Sequence, residues 1–382
     1  MRVLHLFSNS RWTGPAEPAV NLCASLRDKG IDIAFACAPY TASGQNKVVA
    51  VAREKGLAPL DFLHITKHRH PIKNLLDVYA LRRHIKQNTH DIIHCHLDND
   101  HAVALAAVRG LHIPVVRSNH FGDGFPNDRR HRQLVTRSAL ILEPSQHALA
   151  ADQKAFSLPP EMTAVVPGAV DTQRFDPARP LPDMRQRLGI PVEAFVVGIV
   201  ARMQPHRHYE DLFDAFHRFS QAAENAHLVV VGRGTRQRDV GFAPVARLGL
   251  TDRVHFTGYL DADEYVGMLR TFDVGMFLVP GTDGTCRAVR EMMAMGTPMV
   301  VANRGMLHEI IQHETEGLVT DGSIEELSAA LSRLYREPEL RNRFADNARA
   351  TAHTRYTLDH QAECVIDAYK ELLARPSAAL RR

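Results

Sequence analysis

The 382-residue chain is predicted to be an α/β protein of two doubly wound domains. Three observations predict this. Short apolar runs alternate with amphipathic segments from the first residues, as in a parallel sheet whose strands are joined by helices. The alternation breaks once, at a proline-rich stretch without periodicity over 167–182, and then resumes. The length also exceeds what one ordinary core fills.

In the first series, strands are expected over 3–7, 31–36, 92–96, 115–118, 140–143 and 163–166. A helix over 16–29 places Ala16, Val20, Cys23 and Ala24 on one face and stops at Gly30. A second is expected over 44–55. After the break, strands are expected over 196–200, 227–231, 254–256, 274–278 and 299–302, with helices after most of them. Beyond Ser323 the chain reads as helical, and its last amphipathic segment, 357–373, lies past the second sheet. In tandem doubly wound domains, ligands are expected in a cleft where the carboxyl ends of both sheets face each other.

The composition, 45% hydrophobic and 23% charged, is that of a soluble globular protein. A net charge of +3 is too small to argue for nucleic acid. Basic clusters at 67–70, 82–86 and 129–132 read as solvated faces or as contacts with an anionic partner or an acidic membrane surface. Cys23, Cys37, Cys95, Cys286 and Cys364 are odd in number and scattered, as in a reducing cytoplasm. The first residues hold too short an apolar run for a signal peptide, and nothing approaches a membrane span. The expected location is the cytoplasm, with a peripheral contact at the membrane face through Lys67, His68, Arg69 and His70.

The most informative stretch is 279–298, a strand end, a loop and a helix bearing Ala288, Glu291, Met292 and Met295 at helical spacing. Asp283 and Glu291 flank the turn with seven residues between them, so both can face one ligand. The backbone N–H groups of Gly284, Thr285 and Cys286 lie where a helix N-terminus offers unpaired donors to a phosphate. Arg202 and Arg207 follow the first strand of the second domain and read either as phosphate-binding guanidinium groups or as surface arginines.

Gly232-Arg233-Gly234 lacks the third glycine of a dinucleotide fingerprint and reads as a tight turn. Asp261 with Glu264 reads as a helix capping box rather than a metal-binding acid pair. His94 and His96 share one face of a strand, but no third ligand stands at convincing spacing, so no metal site is expected. His120 follows a strand and precedes a glycine-bearing loop, a position that favours a substrate contact. No nucleophile elbow or Walker loop is present, which removes support for a hydrolase or kinase.

Together these segments resemble the retaining, nucleotide-sugar-dependent glycosyltransferases of the GT-B fold, family 4 type, group 1. In look they are nearest to those that build lipopolysaccharide and capsule. The family's acid, seven residues, acid motif is similar to Asp283 through Glu291 and its continuation to Val300. Its Gly-Arg-Leu-x-x-x-Lys-Gly signature is matched by Ala201, Arg202, Met203 and Arg207, and its interdomain Pro-Asn-Gly-Val-Asp-x-x-x-Phe by 167–175. Its Gly-Gly-Ala-Glu loop resembles Gly14-Pro15-Ala16-Glu17, and its strand and histidine resemble 116–120.

The resemblance implies an acceptor-side domain over 1–173, a donor-side domain over 174–355 and a tail, 356–382, crossing back to the first. It implies that Glu291 holds the ribose, Asp283 and His120 contact the donor sugar, and Arg202, Arg207 and the 284–286 amides neutralise the diphosphate, with Gly14 also at the donor. No cofactor or metal is implied; the nucleoside-diphosphate sugar is a co-substrate and the acceptor a glycan, lipid or small molecule. The chain departs from the family at Pro15, Gly168, Arg207, His208 and Asp283, which leaves donor identity open. A catalytically silent relative, or an epimerase or phosphorylase on the same fold, is the alternative.

Overall fold

A computed structural model describes residues 1–38, 46–280 and 286–376. The chain separates into two compact units, the first built from Met1–Ala169 and Leu358–Arg382 and the second from Val170–Gly281 and Cys286–Thr357. Each carries a six-stranded, wholly parallel sheet.

The first sheet contains β1 (Arg2–Phe7), β2 (Asp32–Cys37), β3 (Ile92–Cys95), β4 (Val115–Ser118), β5 (Leu140–Glu143) and β6 (Thr163–Val165), in the order β2-β1-β3-β4-β5-β6. Helices cover both faces, so most of these strands read as continuous apolar runs rather than alternating ones. Along β1 the period of two still sorts the side chains. Leu4 and Leu6 join the core that holds Leu81 and Ile85 of the Pro71–Gln87 helix. Val3 joins the opposite core, with Leu22 and Leu26 of the Ala16–Asp28 helix.

That opposite core is closed by the tail helix Leu358–Leu373, which buries Ala362, Val365, Tyr369 and Leu372. Lys29 pairs with Glu363 at 2.7 Å on its rim. The tail therefore belongs to the first unit although the whole second sheet precedes it in sequence.

The second sheet contains β7 (Phe195–Val200), β8 (Ala226–Val231), β9 (Val254–Gly258), β10 (Val274–Phe277), β11 (Met299–Ala302) and β12 (Gly317–Thr320), in the order β12-β11-β10-β7-β8-β9. The Tyr209–Ser220 helix buries Tyr209, Leu212, Phe213, Phe216 and Phe219, the spacing of one helical face, against it. Truncating Phe216 to alanine here costs about 3–5 kcal/mol, the range for aromatic core deletions.

Two expectations from sequence are corrected. β12 is a strand the periodicity did not reveal, because its short apolar stretch is too brief to separate from a loop. Asp261 makes no side-chain cap on the Ala262–Leu269 helix. Glu264 instead pairs with Arg187 and Asp263 with Arg179, so ion pairs outside the helix outcompete the capping box. The helix expected over 44–55 is observed as Lys47–Glu54, with the Asn46 side chain accepting from the Val49 N–H at 3.1 Å; residues 39–45 lie outside those described.

Candidate functional site

In an open α/β sheet, a ligand crevice forms at the carboxyl ends of the strands where strand order reverses. In the second unit the reversal falls between β7 and β10. Arg202 and Arg207 follow β7, and the Arg287–Ala294 helix with Glu291 follows β10.

Glu291 is buried, at 4% exposure. The Tyr265 hydroxyl donates to its Oε2 at 2.5 Å, and the Arg287 guanidinium lies 3.4 Å from Oε1. Burial, and then the Glu291 charge, raise the Tyr265 phenol well above its ordinary range, so it remains a neutral donor. Phe175 meets the Tyr265 ring edge-on, with centroids 6.1 Å apart. Phe175 is itself seated by Asp171, whose carboxylate accepts from the Gln173 and Arg174 N–H groups and whose carbonyl accepts from the Phe175 N–H. The 167–175 motif thus acts on Glu291 through two aromatic rings. Tyr265 was not legible in sequence, since an isolated tyrosine in a short amphipathic helix carries no motif.

Arg207 is nearly buried, and its Nη1 donates to the carbonyls of Val279 at 3.1 Å and Pro280 at 3.0 Å. It thereby ties the segment after β7 to the segment after β10. Its Nε is buried without a hydrogen-bond partner among the described residues. Arg202 is exposed on the preceding loop. His208 adopts left-handed backbone, φ +57°, at the start of the Tyr209–Ser220 helix, with Nδ1 2.7 Å from the Asp211 carboxylate.

Gly232 and Gly234 are more than a tight turn. A Cβ on Gly234 would stand 1.9 Å from the Met203 carbonyl oxygen, and one on Gly232 2.3 Å from that of Ala201, so their absence lets this loop pack on the 201–203 segment. Cys286 begins the Arg287–Ala294 helix in left-handed backbone, φ +44°. Asp283, Gly284 and Thr285 lie outside the described residues.

In the first unit the reversal falls between β1 and β3. Gly14 lies in the turn after β1, just before the Ala16–Asp28 helix. Buried Asp100 organises this end by accepting from the backbone N–H groups of Ser8 at 2.8 Å, His96 at 3.1 Å and Leu97 at 2.9 Å. Burial pushes its carboxyl up to about 7, opposed by the Arg117 charge and by these hydrogen bonds. Buried Arg117 pairs with Asp98 at 3.1 Å and approaches Asp100 at 3.9 Å.

His120 is 8% exposed and both its ring nitrogens lack partners. It stacks on His96, with centroids 5.8 Å apart, and both line a cavity of about 30 Å³ with Ser118, Asn119, Gly168 and Gln361. Burial lowers its pKa to about 3, so a neutral imidazole faces this space and suits a hydroxyl better than a role requiring charge. Asn119 fixes the loop by donating to Glu143 at 2.8 Å and Asp152 at 3.1 Å. Burial, and then the Asp152 charge, raise Glu143 well above the usual carboxylate range; burial lifts Asp152 to about 6. One proton is thereby kept between two carboxyl groups.

The structure supplies the third histidine that spacing did not. The β1–β3 register sets His5 opposite His94, and His5, His94 and His96 bring ring nitrogens within 4.8 Å of one another, a set able to hold a metal. Most of their nitrogens are already engaged: His5 bonds His96 at 3.0 Å, and His94 bonds Ser118 at 2.7 Å and the Tyr369 hydroxyl, while His96 Nδ1 has no partner among the described residues. No carboxylate belongs to the set, and the nearby Arg117 charge adds to burial in opposing a buried dication. The hydrogen-bonded imidazole ladder is the better physical account.

A larger cavity, about 500 Å³, lies at the amino ends of β4 and β5 beside His112, Pro114, Arg137 and Arg375. That is the end of the sheet away from the strand-order reversal, where α/β ligands are not expected.

Residues 14–174 match the family described as Glycosyltransferase Family 4, and residues 182–351 match Glycosyl transferases group 1. The chain is 27% identical over 292 residues to the MMP alpha-(1->4)-mannosyltransferase of Mycolicibacterium hassiacum, covering 75% of this chain and 66% of that relative. Among solved structures, Anabaena Alr3699/HepE in complex with UDP is 20% identical with a TM-score of 0.79, over 97% of this chain and 100% of that one. The lipopolysaccharide outer core galactosyltransferase WaaB is 16% identical with a TM-score of 0.75, over 96% and 99%. These likenesses establish the GT-B fold.

Proposed function

Because the chain belongs to the group 1 glycosyltransferases, with a family 4 amino-terminal half, we propose that it transfers a sugar with retention from a nucleoside diphosphate. The acceptor is a glycan, a lipid-linked saccharide or a small molecule in bacterial cell-surface assembly. The observation that carries this reading is the carboxylate of Glu291, held by Tyr265 and Arg287 at the strand-order reversal of the second sheet. A buried carboxylate fixed before a ligand arrives suits the paired hydroxyls of a ribose.

In this reading the diphosphate meets Arg202, Arg207 and the amides that lead into the Arg287–Ala294 helix. Breaking the bond from the anomeric carbon to phosphate builds negative charge on the leaving oxygen. Fixed cationic and N–H donors stabilise that state more than the ground state. The charge is met by protein groups, so the step calls on no metal.

The acceptor hydroxyl attacks the oxocarbenium-like carbon from the face the phosphate leaves, and the departing phosphate takes its proton. Asp283 positions sugar hydroxyls, neutral His120 contacts the sugar near the reacting carbon, and Gly14 allows close approach of backbone to the donor. The UDP bound in the Anabaena structure and the mannosyl and galactosyl transfer of the other relatives favour a hexose donor.

The test is thermal protection by UDP, GDP and ADP, with product mass and anomeric configuration read after incubation with nucleotide sugars. Glu291→Ala is expected to abolish protection and reduce turnover by at least about a hundredfold. Unchanged turnover would sink the assignment of Glu291, and an inverted product would sink retention. Binding without transfer to any acceptor or water would identify a silent relative.

A further inference from the structure

Nine large hydrophobic side chains among the described residues are exposed, and four lie on one helix. On the Pro71–Gln87 helix, Ile72 is 69% exposed, Leu75 71%, Leu76 59% and Tyr79 71%. Their spacing of three and four residues places them in one stripe. Asp77, Leu81 and Ile85 occupy the other side and are buried in the first unit. The helix is thus anchored by one face while a second apolar face meets solvent, which is unusual unless something covers it.

The charges around that stripe identify what does. Arg83 lies four residues beyond Tyr79 and Lys86 three beyond Arg83, so both continue the exposed seam. Lys73 lies beside it, and exposed Lys67 and Arg69 precede the helix. The only acid within 67–87 is Asp77, buried and accepting from the His64 N–H at 2.6 Å. These five exposed cations stand in a chain whose whole net charge is only +3.

We propose that this face docks on an anionic lipid bilayer, with the helix lying in the headgroup plane. Ile72, Leu75, Leu76 and Tyr79 enter the acyl boundary, the tyrosine hydroxyl stays at headgroup level, and the cations meet lipid phosphates. The helix is about 26 Å long, but its exposed apolar part covers barely two turns. No described helix is long and apolar enough to cross a membrane, so the geometry lies on the bilayer and does not span it. A second copy of this chain is a poorer occupant, because side-by-side packing of this face on itself brings like charges together. The inference is independent of the sugar-transfer reading.

The experiment is co-sedimentation of the full chain with vesicles of equal parts phosphatidylglycerol and phosphatidylcholine, and with phosphatidylcholine alone. Binding is expected to the mixed vesicles only and to fall as salt is raised. Leu75→Glu with Tyr79→Glu, and separately Arg83→Glu with Lys86→Glu, are each expected to weaken binding by at least about tenfold, on the order of what two membrane-facing cations supply. Both pairs are exposed, so unchanged unfolding midpoints separate loss of docking from loss of fold. Failure of the unaltered chain to bind mixed vesicles overturns the proposal, as does binding that neither pair weakens. Sedimentation velocity without lipid supplies the other arm. A dimer that Leu75→Glu with Tyr79→Glu dissociates, in a chain that ignores vesicles, assigns the face to a second copy and overturns the lipid reading.

Discussion

The Tyr265 hydroxyl donates to the Glu291 carboxylate at 2.5 Å, joining the Ala262–Leu269 helix to the helix after β10. Tyr265 rests edge-on against Phe175, so the connector at the start of the second unit is mechanically coupled to this acid.

Tyr265→Phe is therefore expected to remove one donor from a buried carboxylate oxygen while preserving the ring packing. The cost is about 1–3 kcal/mol of stability. KM for the nucleotide sugar should rise more than kcat falls, because the ligand must now orient the carboxylate itself. Steady-state kinetics beside urea unfolding checks this, and an unchanged KM would show that Tyr265 has no part in positioning Glu291.

His208 presents a separate trade. Its left-handed backbone costs a non-glycine residue about 1–2 kcal/mol, and the 2.7 Å contact with Asp211 offsets part of that. His208→Ala keeps the backbone cost and loses the contact, whereas His208→Gly loses the contact but relieves the backbone. Chemical unfolding should rank the glycine variant above the alanine variant by about 1 kcal/mol. The reverse order would mean that the backbone here is unstrained.

The buried imidazoles make acid stability depend on pH in a defined direction. Burial lowers His5 and His120 to about 3 and His94 and His96 well below 6.5. The unfolded chain therefore binds protons that the native state refuses. This contribution is fully present above 6.5 and is lost as pH falls toward about 3. Glu143 acts with opposite sign: its raised pKa keeps a proton in the native state, and stability is lost as pH rises from its ordinary value toward the raised one. Unfolding free energies across pH should show His120→Asn with a shallower acid slope, by up to about 1.4 kcal/mol per pH unit. Glu143→Gln should be more stable than the parent on the alkaline side. Parallel pH profiles for the parent and both variants would refute these burial effects.

The alternation of apolar runs determined two parallel α/β halves, because strands buried on both faces and amphipathic helices leave different local periods. Local pattern also marked 167–175, the 201–207 segment and Glu291, whose chemistry is carried by residues close together in the chain. Among the described residues, strand order was decided only by tertiary structure, and with it which strand ends meet at each reversal. The same holds for His5 beside His94, Tyr265 on Glu291, Arg207 on the Val279 and Pro280 carbonyls, and Tyr369 reaching His94 from the tail helix. Each joins residues that share no local period, and His94 and Tyr369 stand 275 positions apart. The capping box failed for the same physical reason: Glu264 found Arg187, an ion-pair partner that only the folded chain brings within reach.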